Sequence, residues 1–165
     1  MKQLRILALS FLTAAVCGCS SFHSTPSAPD FEERQETAIR ALMEAWCGGP
    51  VDGVEQYGAE TVIFHYGGQT MDTTFEELKG LIAHWREAFP DFQMHVDEII
   101  TEGNVTAVRM RYEGTHEGVW FGNEPTGKRV LVDEMMFFRF EDGLLVEAWE
   151  VDDQLTMRQQ LGLIP

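Results

Sequence analysis

Apolar residues recur in two rhythms along this chain: every three to four positions in its first half, and every second position later on. Ile39, Leu42, Met43 and Trp46 repeat at helical spacing after a D-x-x-E start at Asp30 and Glu33, and Gly48, Gly49 and Pro50 stop that helix. A short second helix is predicted over 52–57 before Gly58. Residues 61–66 are β-branched and aromatic enough for a strand, closed by Gly67 and Gly68. The strongest helical segment comes next. Thr74 and Glu77 form a capping box, and Phe75, Leu78, Leu81, Ile82, Trp85 and Phe89 mark one face until Pro90. From Phe92 the period becomes two, which predicts strands over 92–101, 105–116, 130–141 and 144–151, with turns at 102–104, 125–127 and 141–143. A last short helix is predicted over 154–161. Helices first and long neighbouring strands later predict an α+β fold, with helices packed on one face of a curved, mostly antiparallel sheet.

The first residues follow a different logic. Lys2 and Arg5 precede an apolar run over 6–16, too short to cross a bilayer and of the kind that export machinery reads. The run ends in Val16-Cys17-Gly18-Cys19-Ser20, which resembles a bacterial lipoprotein signal. Cys19 fits the lipidated slot better than Cys17, because the small Gly18 precedes it. This divides the chain into a signal peptide over 1–18, a Ser/Pro-rich tether over 19–29 and one domain over 30–165. Ten tether residues reach on the order of 20 Å, enough to hold a domain just off a membrane. The expected location is a bacterial membrane surface, periplasm-facing, reached through the lipid alone; cleavage and secretion without lipid is the plainer alternative. Beyond Cys19 the only thiol is Cys47, beside Trp46 on a helical face, where a buried and inert residue is expected.

Composition narrows the partners. The chain of 165 residues has a formal net charge of −15, with 12 basic residues scattered along it, so nucleic acid is not an expected ligand. Hydrophobic residues make up 44%, ordinary for a chain that builds a sizeable core without disulfides or metal. None of the five histidines is spaced for zinc.

Several segments, taken in order, resemble one family. Phe89-Pro90-Asp91-Phe92, Gly114-Thr115-His116-Glu117-Gly118, Pro125-Thr126-Gly127-Lys128-Arg129, Phe138-Arg139-Phe140-Glu141-Asp142-Gly143 and Val146-Glu147-Ala148-Trp149, with Asp153 and Gln160-Leu161-Gly162, resemble the SnoaL-like polyketide cyclase, or ester cyclase, family. The resemblance implies the cone of the nuclear transport factor two-like fold, helices against a strongly curved sheet with a pocket opening at one end. It further implies ring closure of the aldol type without metal or cofactor, one carboxylate acting as acid and base. That carboxylate follows the tryptophan of the last strand and falls on Glu150, where other members carry Asp. A histidine serving the same pocket in some cyclases falls on Met136.

The residues themselves offer a candidate site. Alternation places Leu144, Val146, Ala148 and Glu150 on one strand face, so a carboxylate ends an apolar row. Burial there would raise its pKa towards working pH; the plainer alternative is a solvated rim glutamate or a partner of Arg139. A three-residue loop at 141–143 would pair Phe140 with Leu144 and set Glu134 opposite Glu150, whereas a two-residue loop would send Glu134 to the other face. His116 shares a face with Val108, Met110 and Tyr112 and is a candidate donor to a substrate oxygen. His65 ends the first strand near the implied mouth. Trp85, Tyr112 and Met136 lie on elements that would line the cone, although core packing accounts for such residues too. The expected function is therefore acid/base catalysis of the cyclase or isomerase type on a small apolar carbonyl compound, with Glu150 and His116 as catalytic candidates and His65, Trp85, Tyr112, Glu134 and Met136 as ligand contacts. A pocket that binds a small hydrophobic ligand without chemistry is the alternative. Leu131, Met135 and Phe137 alternate on the face opposite Met136, which is compatible with a homodimer.

Overall fold

A computed structural model describes residues 28–165; the expected signal peptide, Cys19 and residues 20–27 of the tether lie outside that range. Helix α1 spans Ala28–Trp46, so it begins two residues before the D-x-x-E start and takes in the end of the expected tether. The segment over 52–57 makes only a 3-10 turn, Val54–Tyr57, entered through Gly53 at φ 89°. Strands β1 (Gly58–Tyr66) and β2 (Gln69–Thr74) then form a hairpin, and α2 covers Phe75–Ala88. Four further strands follow, β3 (Gln93–Glu102), β4 (Val105–Thr115), β5 (Arg129–Glu141) and β6 (Leu144–Asp152), and α3 (Gln154–Leu161) completes the order.

β2 has no counterpart in the sequence reading. Its residues Gln69-Thr-Met-Asp-Thr-Thr lie on an exposed edge and carry no apolar alternation, so nothing in the pattern marks a strand. The marker is the turn itself: Gly67 and Gly68 take φ of 59° and 79°, the pair of positive values that a tight two-residue hairpin needs. Thr74 ends β2 and also caps α2, accepting from the Glu77 backbone while the Glu77 carboxylate accepts from the Thr74 backbone.

The six strands form one sheet in the order β2-β1-β6-β5-β4-β3. All neighbours are antiparallel except β1 and β6, which run parallel and bring the first strand beside the last. The inner face of this mixed sheet packs on the helices through Ile39, Leu42, Phe75, Ile82, Val108, Met110, Phe138, Phe140, Leu145 and Ala148. At roughly 2 kcal/mol per buried large apolar side chain, this layer is the main cohesion of the fold. A second apolar group, Phe89, Phe92, Tyr112, Trp120, Val130, Val132, Met157 and Leu161, closes the end beneath α3.

Candidate active site

The β5–β6 hairpin sets the chemistry of the inner face, and its register differs from the expected one. Glu141 pairs with Leu144 around a two-residue turn in which Asp142 and Gly143 take φ of 49° and 83°. By itself that turn would direct Glu134 outward. A β-bulge between Arg139 and Phe140 absorbs the extra residue, Val146, and restores the parity. Beyond the bulge Met136 lies opposite Glu150, and Glu134 lies opposite Asp152 rather than Glu150. The row on β6 is therefore Leu145, Ala148, Glu150 and Asp152; Leu144 faces outward and Val146 sits in the bulge, a correction to the alternation read from the sequence.

Three carboxyl groups thus share one end of the inner face. Asp152 is the best held, and the sequence reading misses it because it ends the last strand at 151. The Tyr66 hydroxyl donates to its Oδ1 (3.1 Å), the Tyr112 hydroxyl to its Oδ2 (2.8 Å), and the Gln154 amide also donates to Oδ2. Three convergent donors suit a carboxylate, which only accepts. Both phenols are held well above their usual pKa by burial and by the negative charge of Asp152, so they remain donors. Glu134 is 4% exposed. Burial first, then the charges of Glu150 and Asp152, pushes its carboxyl far above the ordinary range. Burial and Asp152 push Glu150 in the same direction. Cross-strand and diagonal neighbours on one sheet face lie within roughly 8 Å, close enough in a dry environment for each charge to oppose the next.

Glu150 and Asp152 line a cavity of about 720 Å³ together with His65, Tyr66, the turn 67–70, Trp149, Val151, Gln154 and Arg158. Tyr66 enters it because parallel pairing sets it beside Glu150. His65 lies in the cavity wall with both ring nitrogens engaged: Nε2 donates to Glu147 (2.8 Å) and Nδ1 meets the Thr70 hydroxyl (2.9 Å), while the ring stacks on Trp149 at 5.0 Å. Arg139 pairs with Glu147 (2.8 Å), not with Glu150.

The other expected site residues lie elsewhere. His116 is fully buried, stacked on Phe89 (5.2 Å) and outside the cavity lining. The Thr126 backbone donates to its Nδ1 (3.3 Å), which places the ring proton on Nε2, and that nitrogen has no hydrogen-bond partner among the described residues. Burial lowers its pKa, opposed in part by the backbone of Gly118. Trp85 sits among Trp46, Phe89, Phe92, Tyr112 and Trp120 as part of the aromatic packing. Met136 is buried beside Glu150 without lining the cavity, and Tyr112 reaches the site through its hydroxyl alone. Cys47 is half-buried and accepts from the Met94 backbone (3.1 Å); burial raises its pKa, which keeps it a thiol. Among the described residues no group of three His, Cys, Asp or Glu side chains is placed to hold a metal ion.

Comparison with known proteins gives a consistent picture. A family model described as SnoaL-like polyketide cyclase matches residues 36–161. AclR from Streptomyces galilaeus, named as a candidate hydroxylase, superposes with a TM-score of 0.70 at 25% identity, over 81% of this chain and 84% of that one. IdmH from Streptomyces antibioticus, named as a candidate polyketide cyclase, gives 0.67 at 27% identity over 78% of this chain and 98% of that one. A structure from Jannaschia sp. CCS1, named as a candidate SnoaL-like polyketide cyclase, gives 0.70 at 24% identity over 86% and 99%, a likeness of fold. No curated protein shows significant sequence similarity to the chain.

Proposed function

Because the chain belongs to the SnoaL-like polyketide cyclase family, we propose that its cavity performs cofactor-independent acid/base chemistry of the cyclase or isomerase type on a small apolar carbonyl compound. Glu150 is the residue that moves the proton. The observation that carries this reading is the Glu150 carboxyl, whose pKa burial raises, at the wall of a cavity of about 720 Å³ with the Tyr66 ring beside it. A carboxyl group raised towards neutrality is a stronger base when ionised than an ordinary carboxylate and a usable acid when protonated. In the first form Glu150 removes a proton alpha to the carbonyl, and in the second it returns one to the oxygen or carbon where charge has developed.

Hydrogen–deuterium exchange tests this whatever the final product. Apolar β-keto esters incubated with the protein in D2O are expected to gain deuterium alpha to the carbonyl, read by NMR, and Glu150→Gln is expected to lower that rate at least about a hundredfold, the usual worth of a positioned acid/base. Exchange unchanged in the variant would remove Glu150 from the role.

A second reading, a binding module without chemistry, is favoured by Met136. It stands directly opposite Glu150, where some cyclases are expected to place a histidine, and a thioether cannot polarise a carbonyl. Ligand affinity without any exchange would support it. We also propose that the protein is exported and lipid-anchored through Cys19, on the signal-like run that precedes it, and that two copies associate through the outer sheet face.

A further inference from the structure

We infer that the cavity takes an apolar ligand carrying a carboxylate, and that Arg158 holds that group. The inference rests on the catalytic reading above and adds the charge of the substrate to it. Among the residues lining the cavity Arg158 is the only arginine or lysine. It makes no ion pair among the described residues, in a chain where acidic residues number 27 and basic ones 12. Several other cations are engaged, Lys79 with Glu76 and Glu55, Arg109 and Arg111 with Asp97, Arg129 with Asp91 and Glu113, Arg139 with Glu147, while Arg34 and Lys128, like Arg158, make no ion pair among the described residues but lie outside the cavity lining. The Arg158 guanidinium lies over the Trp120 ring at 5.8 Å. This contact, with a ring outside the cavity lining, uses none of the guanidinium N–H groups, which stay available to receive a carboxylate through two parallel hydrogen bonds.

The acids nearby do not forbid an anion. Asp152 is compensated by three donors, from Tyr66 on β1, Tyr112 on β4 and Gln154 on α3. Glu134 on β5 and Glu150 on β6 hold their protons above the ordinary range. His65, the other basic side chain in the lining, has both ring nitrogens committed. An entering anion therefore meets one guanidinium without an ion pair, one compensated carboxylate and Glu150, whose pKa burial raises; Glu134 is buried and does not line the cavity. The ring of Tyr66, on the inner face beside Glu150, takes its apolar part, while Trp149 faces outward with its ring already covered by His65 and Arg139. Each proton lost from Glu134 or Glu150 adds a repelling charge, so binding of the anion weakens as pH rises.

Calorimetric titration with 4-phenylbutyrate and its uncharged amide reads this directly. At neutral pH the carboxylate is expected to bind at least about tenfold more tightly than the amide, the worth of one charge-assisted pair. Arg158→Gln is expected to erase the difference and Arg158→Lys to restore part of it, with thermal melts reporting that each variant is folded. Equal affinities in the wild type, a preference that survives Arg158→Gln, or no detectable binding of phenylbutyrate at millimolar concentration would each overturn the inference. Glu150→Gln separates the two readings, because under the catalytic proposal it lowers exchange at least about a hundredfold, whereas the preference for the carboxylate persists or grows once a charge that can repel the anion is gone.

Discussion

Glu134 and Glu150 hold their protons more tightly in the fold than in an unfolded chain, and the sign of the resulting pH effect follows. Above the ordinary value of 4.5 the unfolded chain releases protons that the native state keeps, so stability falls as pH rises until the native carboxyls also ionise. The slope is at most about 1.4 kcal/mol per pH unit for each group. His116 works in the other direction below its ordinary value of 6.5, since its lowered pKa favours unfolding only where the unfolded ring is charged. Between about pH 7 and about pH 9 the glutamates therefore govern the trend. Thermal melts over that interval are expected to show wild-type stability declining with pH, and Glu134→Gln to flatten the decline and melt higher at the alkaline end. A wild-type melting point that climbs over the same interval would show that these carboxyls are ionised in the fold. Tyr66 and Tyr112 belong to the same balance, because their hydroxyls fix the Asp152 charge that both glutamates feel.

At the scale of elements, the β5–β6 hairpin shows how one inserted residue redirects a site. Its two-residue turn and the bulge at Val146 each change the facing of every later side chain, and together they return Glu134, Glu150 and Asp152 to the inner face. The same alternation fills the outer face with apolar residues. Leu131, Met135 and Phe137 on β5 and Val151 on β6 are all exposed, Val151 at 73%, and cross-strand pairing sets Met135 beside Val151 and Phe137 beside Trp149. Ion pairs on β3 and β4 flank this stripe, Arg109 with Asp97 and Glu98 and Arg111 with Asp97, so two cations meet two anions and do not repel a second copy. If the stripe closes a dimer, sedimentation of the wild-type domain gives twice the protomer mass and Phe137→Glu with Met135→Glu gives the protomer mass. A wild-type domain that sediments as a monomer at every accessible concentration would rule the association out.

At the scale of the molecule, the proposed export through the apolar run before Cys19 is tested apart from the chemistry proposed for the domain. Metabolic labelling with an alkyne fatty acid in a bacterial host is expected to mark the wild-type chain and not Cys19→Ala; a labelled variant would place the lipid elsewhere, and an unlabelled wild type would favour simple secretion. For the fold, the periodicities determined most helices and strands, the places where the chain turns and the inward facing of Glu150, because each is a local property of spacing and of glycine or proline position; the length of the β5–β6 turn and the row leading to Glu150 were not among them. β2 escaped because an exposed edge strand has no buried face to impose alternation. Asp152 was within reach of the same period-two rule, one step past the end of the expected strand. Tertiary structure alone decided the remainder. Parallel pairing of β1 with β6 brought Tyr66 to Glu150, α3 carried Arg158 to the cavity, and packing on Phe89 shut His116 away from it. These are contacts between residues far apart in the chain, set by register and by which surfaces exclude water, and a period of two is the same whichever face the next strand turns inward.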